Sequence, residues 1–287
     1  MLEKNELVFI SENISESIIS VEPVHGGSIN QAYLLKTKKD KFFLKKNSIK
    51  KYPEMFQLEE KGLQLLRNNS NLIIPIVKAI FDIEENSYLV LEWIDEGTSN
   101  EDSHFNFGRN LAIMHSHSAE KFGLKYDNYI GSLKQVNSFR DNWNDFFIEN
   151  RVGYQLQNAF DEGNIDKQSS NAIEKIYQKL SDFFPLEKPS LLHGDLWSGN
   201  FMIDKGGNAV IYDPAVYYGH RLMDLGMTKL FGGFSNEFYE GYQEEYKLER
   251  NWHDAINIAN IYPLLVHVNL FGTSYLTQIK GILKKYV

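Results

Sequence analysis

The regular pattern begins at residues 21–24, where apolar and polar positions alternate. It continues through a His25-Gly26-Gly27-Ser28 turn into residues 31–36, a charged turn at 38–41 and an apolar run at 42–44. Period-two alternation between glycine-rich or charged turns predicts an antiparallel meander of strands. Pro53 then opens a stretch whose residues Met55, Leu58, Leu63, Leu65 and Leu66 fit one broad face, with Pro75 beyond its end. That spacing predicts a single helix. Two more strands are expected over 76–83 and 88–94, joined by the polar turn Glu84-Glu85-Asn86-Ser87.

Residues 95–100 are polar and carry no apolar period. They mark the expected border between an N-terminal lobe, residues 1–94, and a C-terminal lobe, residues 95–287. In the second lobe, apolar residues at three-and-four spacing predict helices over 105–116, 139–160, 165–184, 220–230, 237–246 and 251–271. One strand pair, 201–203 and 209–212, is expected to interrupt them around the turn Asp204-Lys205-Gly206-Gly207-Asn208. The fold class that follows is α+β, a small antiparallel sheet with one main helix followed by a mostly helical lobe.

Composition narrows the function classes. At 287 residues, 43% hydrophobic and 24% charged, the chain can build the two cores this pattern requires. A formal net charge of −8 argues against nucleic acid as the main partner, because binding a phosphate backbone needs a basic footprint. The absence of cysteine excludes disulfides, thiolate catalysis and Cys-zinc sites. Glu3, Lys4, Glu6 and Glu12 interrupt the apolar residues of the first twenty positions, so no secretory signal is expected there. No apolar run approaches the roughly 20 residues of a membrane span, and a cytoplasmic protein without membrane association is expected.

The candidate chemistry lies after the apolar pair Leu191-Leu192, in His193-Gly194-Asp195-Leu196-Trp197-Ser198-Gly199-Asn200. An aspartate on a loop leaving buried structure, as at Asp195, can orient an acceptor hydroxyl and take its proton. Asn200 offers an amide oxygen and Asp213 a carboxylate, both suited to a hard cation such as Mg2+, and the predicted hairpin between them would bring the two together. Taken alone, an Asp-to-Asn spacing is better read as a turn. Three upstream features favour phosphoryl transfer from ATP instead. Gly26, Gly27 and Ser28 form a turn whose backbone can approach phosphates. Lys45 ends a strand, and Glu59 lies in the next helix, where it can pair with that lysine. Glu92 and Ile94 fall at the end of the last strand, where adenine would meet backbone groups. His115 and His117, two apart on a helix, do not share a face and are read as packing residues. The runs Tyr217-Tyr218 and Phe231 to Phe234 are read as core.

Taken together, the 193–200 segment and Asp213-Pro-Ala-Val-Tyr-Tyr-Gly-His220 resemble the fructosamine (ketosamine) kinase family, within the wider group of aminoglycoside phosphotransferases and choline kinases. Further matches are Phe122-Gly123, Asp127-Asn-Tyr-Ile-Gly-Ser-Leu133, Leu230-Phe-Gly-Gly-Phe234 and His267-Val-Asn-Leu-Phe-Gly272. The resemblance implies a protein-kinase-like two-lobed fold and transfer of the ATP γ-phosphate, with Mg2+, to the O3 hydroxyl of a ketosamine. The acceptor would be a sugar adduct on a free amine or a protein lysine, which decomposes once phosphorylated. By the same resemblance Asp195 is the base, Asn200 and Asp213 hold metal, Lys45 binds phosphates with Glu59 as its partner, and Trp197 and His220 face the acceptor. Many relatives carry a cysteine where this chain has Ser28, so thiol-based control at that turn is excluded here. Two alternatives stand beside this reading: a related kinase for an aminoglycoside, amino alcohol or other sugar, and a silent kinase-fold binding protein.

Overall fold

The computed structural model describes residues 2–24 and 29–286. Helix α1, Lys4–Ile14, precedes strands β1, Ser20–Val24, β2, Gln31–Lys36, and β3, Lys41–Ser48. Helix α2, Met55–Asn68, leads into β4, Val77–Ile83, and β5, Asn86–Glu92. The five strands form one antiparallel sheet in the order β1-β2-β3-β5-β4.

Because successive side chains point to opposite faces of a strand, register decides which residues share a face. Tyr33 opposite Leu44, Leu35 opposite Phe42, and Leu44 opposite Val90 place one apolar set together. That set, with Tyr88, packs on Leu2 and Ile10 of the N-terminal segment. Helix α1 was not among the predicted elements. Its Glu6 is buried inside, where Oε1 accepts from Lys46 Nζ at 2.6 Å and from the Tyr88 hydroxyl. The opposite face carries Ala32, Phe43, Lys45, Leu89 and Leu91. Leu89 and Leu91 join α2 residues Phe56, Leu63 and Leu66 in the larger core, which continues into the helical part. Two cores are therefore present, but the line between them runs through the sheet rather than through residues 95–100.

The helical part opens with α3, Glu101–Ser116, whose Asn100 cap accepts from the Ser103 N–H at 2.8 Å. A short hairpin follows, β6, Asn128–Ile130, and β7, Leu133–Gln135. The predicted helix 139–160 starts later, at the Asn142 cap. It runs as α4, Trp143–Phe146, a π-helical segment, Phe147–Val152, and α5, Gly153–Asp161. The predicted helix 165–184 is α6, Lys167–Glu174, a 3₁₀ segment, Lys175–Lys179, and α7, Leu180–Phe183.

Beyond these lie β8, Ser190–Leu192, β9, Phe201–Ile203, β10, Ala209–Ile211, and β11, Tyr217–Gly219. β9 pairs with β10 as expected, whereas β8 pairs with β11, so the lobe holds three strand pairs rather than one. Helices α8, Leu222–Leu230, and α9, Asn236–Glu245, follow. The predicted helix 251–271 divides into α10, Trp252–Ala259, and α11, Ile261–Phe271, at Asn260, whose Nδ2 donates to the Gly226 carbonyl at 2.9 Å. Pro263 sits in the first turn of α11, where a missing N–H is tolerated. A last helix, α12, Leu276–Tyr286, was not predicted. Among the described residues no helix is long and apolar enough to cross a membrane.

Candidate active site

A cleft of about 640 Å³ separates the sheet from the helical part. Ala32, Phe43, Lys45 and Leu91 line it from the sheet, and Asp195, Trp197, Asn200, Met202 and Asp213 from the other side.

Lys45 reaches the cleft because β3 runs on to Ser48, longer than the apolar run 42–44 alone predicts, with its cleft face following the pleat. It is 3% exposed, and its Nζ donates to Glu59 Oε1 at 2.7 Å and to Asp213 Oδ1. Burial works against the charge of Lys45, but Asp213 and then Glu59 outweigh it and hold the ammonium above its usual range. Glu59, the expected partner, meets the lysine from α2, and Asp213, expected only as a cation ligand, meets it from the segment after β10.

Asp195 lies on the loop between β8 and β9. Asn200 Nδ2 donates to the Asp195 carbonyl at 2.8 Å and to its Oδ2 at 3.0 Å. Burial, followed by the nearby carboxylates of Asp213 and Asp224, pushes the Asp195 carboxyl up to about 7, against the hydrogen bond from Asn200. That value suits proton exchange near neutrality. The His193 ring donates from Nε2 to the Tyr212 carbonyl at 3.0 Å and accepts from the Asp195 N–H through Nδ1 at 3.3 Å. Gly194 has φ +85, and a Cβ there would meet the Ala215 carbonyl oxygen at 2.0 Å, so the loop's close approach needs glycine. Asp213 itself adopts φ 56, a left-handed conformation that aspartate tolerates better than most residues and that often marks functional positions.

Two supports were not among the sequence candidates. The Asp224 carboxylate, 1% exposed on α8, accepts from the His193 N–H at 2.7 Å and the Gly194 N–H at 2.9 Å, fixing the backbone just before Asp195. His115 Nε2 lies 3.2 Å from the same carboxylate, which gives that histidine the packing role expected of it. The second support is the β6–β7 hairpin. Asn128 Nδ2 donates to the Val216 carbonyl at 2.9 Å and Gln135 Nε2 to the Ala215 carbonyl at 3.0 Å, clamping the segment that follows Asp213. The sequence signals were a carboxylate at an apolar helix position and Asn128 in a motif of unassigned structure, with Gln135 just beyond that motif.

Other candidates divide. Glu92 lines the cleft, and its side chain is engaged within the sheet, accepting from the Ile76 N–H at 2.9 Å. Strand β5 ends at Glu92, and Ile94 lies past it, lining the cleft. Trp197 lines the cleft near Asp195. His220 does not. Its ring is buried between Trp143 and Phe184, donating from Nε2 to the Pro185 carbonyl at 3.2 Å and accepting from the Leu222 N–H at Nδ1. With both nitrogens engaged inside the core, His220 holds the start of α8 and has no face toward an acceptor. Of the run 231–234, Phe234 packs against Phe201 and Phe238 as expected, whereas Phe231 is 37% exposed. The expectations for Gly26, Gly27 and Ser28 lie outside the described residues.

The donor set fits a hard divalent cation. The Asp213 carboxylate faces the cleft, and Asn200 is oriented through its Nδ2, which leaves its amide oxygen as an acceptor. Mg2+ is usually bound through one or two such protein oxygens with phosphates and water completing the shell.

A family model described as fructosamine kinase matches residues 3–287. A probable ketoamine kinase of Synechocystis is 40% identical over 263 residues, covering 91% of this chain and 88% of that protein. A rice protein-ribulosamine 3-kinase of the chloroplast is 33% identical, covering 97% of this chain and 82% of that protein. Among solved structures, a candidate fructosamine-3-kinase from Thermobifida fusca superposes with a TM-score of 0.87 at 30% identity, over 97% of this chain and 96% of that one.

Proposed function

The chain belongs to the fructosamine kinase family and has its protein-kinase-like fold, and on that premise we propose that it transfers the γ-phosphate of ATP to the O3 hydroxyl of ketosamines. The observation that carries the reading is the convergence of Lys45, Glu59 and Asp213 with Asp195 and Asn200 on one cleft.

Adenine would lie between Ala32 and Met202, meeting the backbone at Glu92 and Ile94. Lys45, kept charged and held by Glu59, would bind the α- and β-phosphates. Asn200 and Asp213 would hold Mg2+, which supplies charge neutralisation on the phosphates. Asp195 would orient the acceptor hydroxyl and take its proton as the new P–O bond forms and the bond to ADP breaks. Trp197 would face the sugar. The ketoamine and ribulosamine names of the relatives support this acceptor class, on small amines or protein lysines, and a cytoplasmic setting suits an ATP-dependent reaction.

A panel of fructose-, ribulose- and erythrulose-derived amines, scored by ATP consumption against aminoglycosides and choline, tests the acceptor. Turnover is expected on the ketosamines. Turnover confined to the second group would replace this reading with that of a kinase for another hydroxyl, and nucleotide binding with no turnover on any acceptor would point to a silent binding protein.

A further inference from the structure

From Trp197 a run of rings leads out of the cleft toward solvent. Trp197 meets Phe231 edge-on with centroids 6.1 Å apart, Phe231 lies 4.9 Å from the His267 ring, and His267 lies 5.5 Å from Phe271. Phe231 is 37% and Phe271 50% exposed, although exposed phenylalanines are usually isolated rather than joined to a catalytic cleft. The loop that carries Phe231 is fixed to the catalytic loop. A Cβ on Gly233, at φ +93, would lie 2.4 Å from Ser198 Cβ, so this close contact needs glycine and sets Phe231 against Trp197. His267 is oriented as well: its Nδ1 donates to the Pro263 carbonyl at 2.7 Å, leaving Nε2 as an acceptor with no partner among the described residues. The same ring lines a small cavity that touches Asp195 and whose described lining holds no other carboxylate.

We propose that Phe231, His267 and Phe271, continuing outward from Trp197 at the sugar, form the subsite for the amine-bearing end of the acceptor, so that the enzyme favours ketoamines whose nitrogen carries an apolar or aromatic stem. This rests on the ketosamine kinase reading above. In a ketoamine the nitrogen is separated from C3 only by C1 and C2, so an O3 hydroxyl at Asp195 leaves the nitrogen within reach of the next rings outward. That nitrogen is a secondary amine, protonated near neutrality. Aromatic faces attract such a cation, and the free Nε2 of His267 can accept its N–H. Burial lowers the proton affinity of His267, which keeps the ring neutral beside a cation. The substituent then lies along Phe231 and Phe271, where apolar area leaves water.

The test uses the full chain and two ketoamines of the same ketose, one built on methylamine and one on benzylamine. The unaltered enzyme is expected to favour the benzyl compound in kcat/KM by about tenfold, mainly through KM. Phe231→Ala and Phe271→Ala should each bring the ratio toward about twofold or less. Nucleotide-dependent thermal stabilisation checks that the variants fold, and Phe271→Leu, at a half-exposed position, replaces any that do not. Equal kcat/KM for the two compounds in the unaltered enzyme, or variants that lower both by the same factor, would overturn the subsite. Failure of the unaltered enzyme to phosphorylate either ketoamine is a different result: it removes the reaction itself and this inference with it.

Discussion

Two buried histidines, His193 beside Asp195 and His220 in the core, act as fixed neutral hydrogen-bonding groups. His193 and His220 each donate from Nε2 to a backbone carbonyl and accept a backbone N–H at Nδ1. A second ring proton would set donor against donor. Burial pushes His220 down to about 4, against the pull of Glu187. Since the unfolded chain takes up this proton near pH 6.5, the contribution of His220 to stability is complete above that pH and is lost as pH falls through about 4. Urea unfolding followed from pH 7 to pH 4 should therefore show a decline that is smaller by about 3 kcal/mol in His220→Gln, the remainder coming from His193 and the other buried histidines. Identical pH profiles would remove this role. That Lys45, Glu59, Asp195, Asn200 and Asp213 meet on one cleft was foreseeable from their kinase-like order along the chain. His220 was misread because its motif position says nothing of the direction its ring faces, and Asp224 was missed because one acid in Leu222-Met223-Asp224-Leu225 looks like a break in an apolar stripe.

Among the elements, the strands of the large sheet and most long helices followed from period and turns. What failed had local causes. Three-residue strands such as β8 and β11 are too short for alternation to register, and their pairing goes with the close approach of the β8–β9 loop to the segment after Asp213. Helix α1 was hidden because its inward face carries Glu6, which a hydrophobicity pattern assigns to solvent. Burial alone would raise the Glu6 carboxyl, but the hydrogen bonds from Lys46 and Tyr88 hold it below its usual range. Glu6→Ala leaves the Lys46 ammonium and the buried Tyr88 hydroxyl without this acceptor. A loss of about 2 kcal/mol in chemical denaturation is expected. An unchanged denaturation midpoint would show that α1 adds nothing to the sheet.

At the scale of the whole molecule, the polar segment 95–100 reads as a flexible border yet is tied down on both sides of the cleft. Asp95 Oδ1 accepts from Lys41 Nζ on β3 at 2.8 Å, its Oδ2 accepts from Lys205 Nζ in the β9–β10 turn at 2.9 Å, and the Gly97 N–H donates to the Ile203 carbonyl at 2.7 Å. Composition shows polarity but not which partners a polar segment meets. The sheet, with Lys45, and the β8–β9 loop, with Asp195, are thus held across one cleft, and the proposed reaction divides its labour between them. The most direct test compares Asp195→Asn with Asp213→Ala, measuring ketosamine-dependent ADP formation alongside calorimetric binding of ATP with Mg2+. Asp195→Asn is expected to lower kcat by about 100-fold or more while nucleotide affinity stays within about threefold, and Asp213→Ala to weaken both. Equal and mild losses in the two variants, or loss of nucleotide binding in Asp195→Asn alone, would contradict the assigned roles.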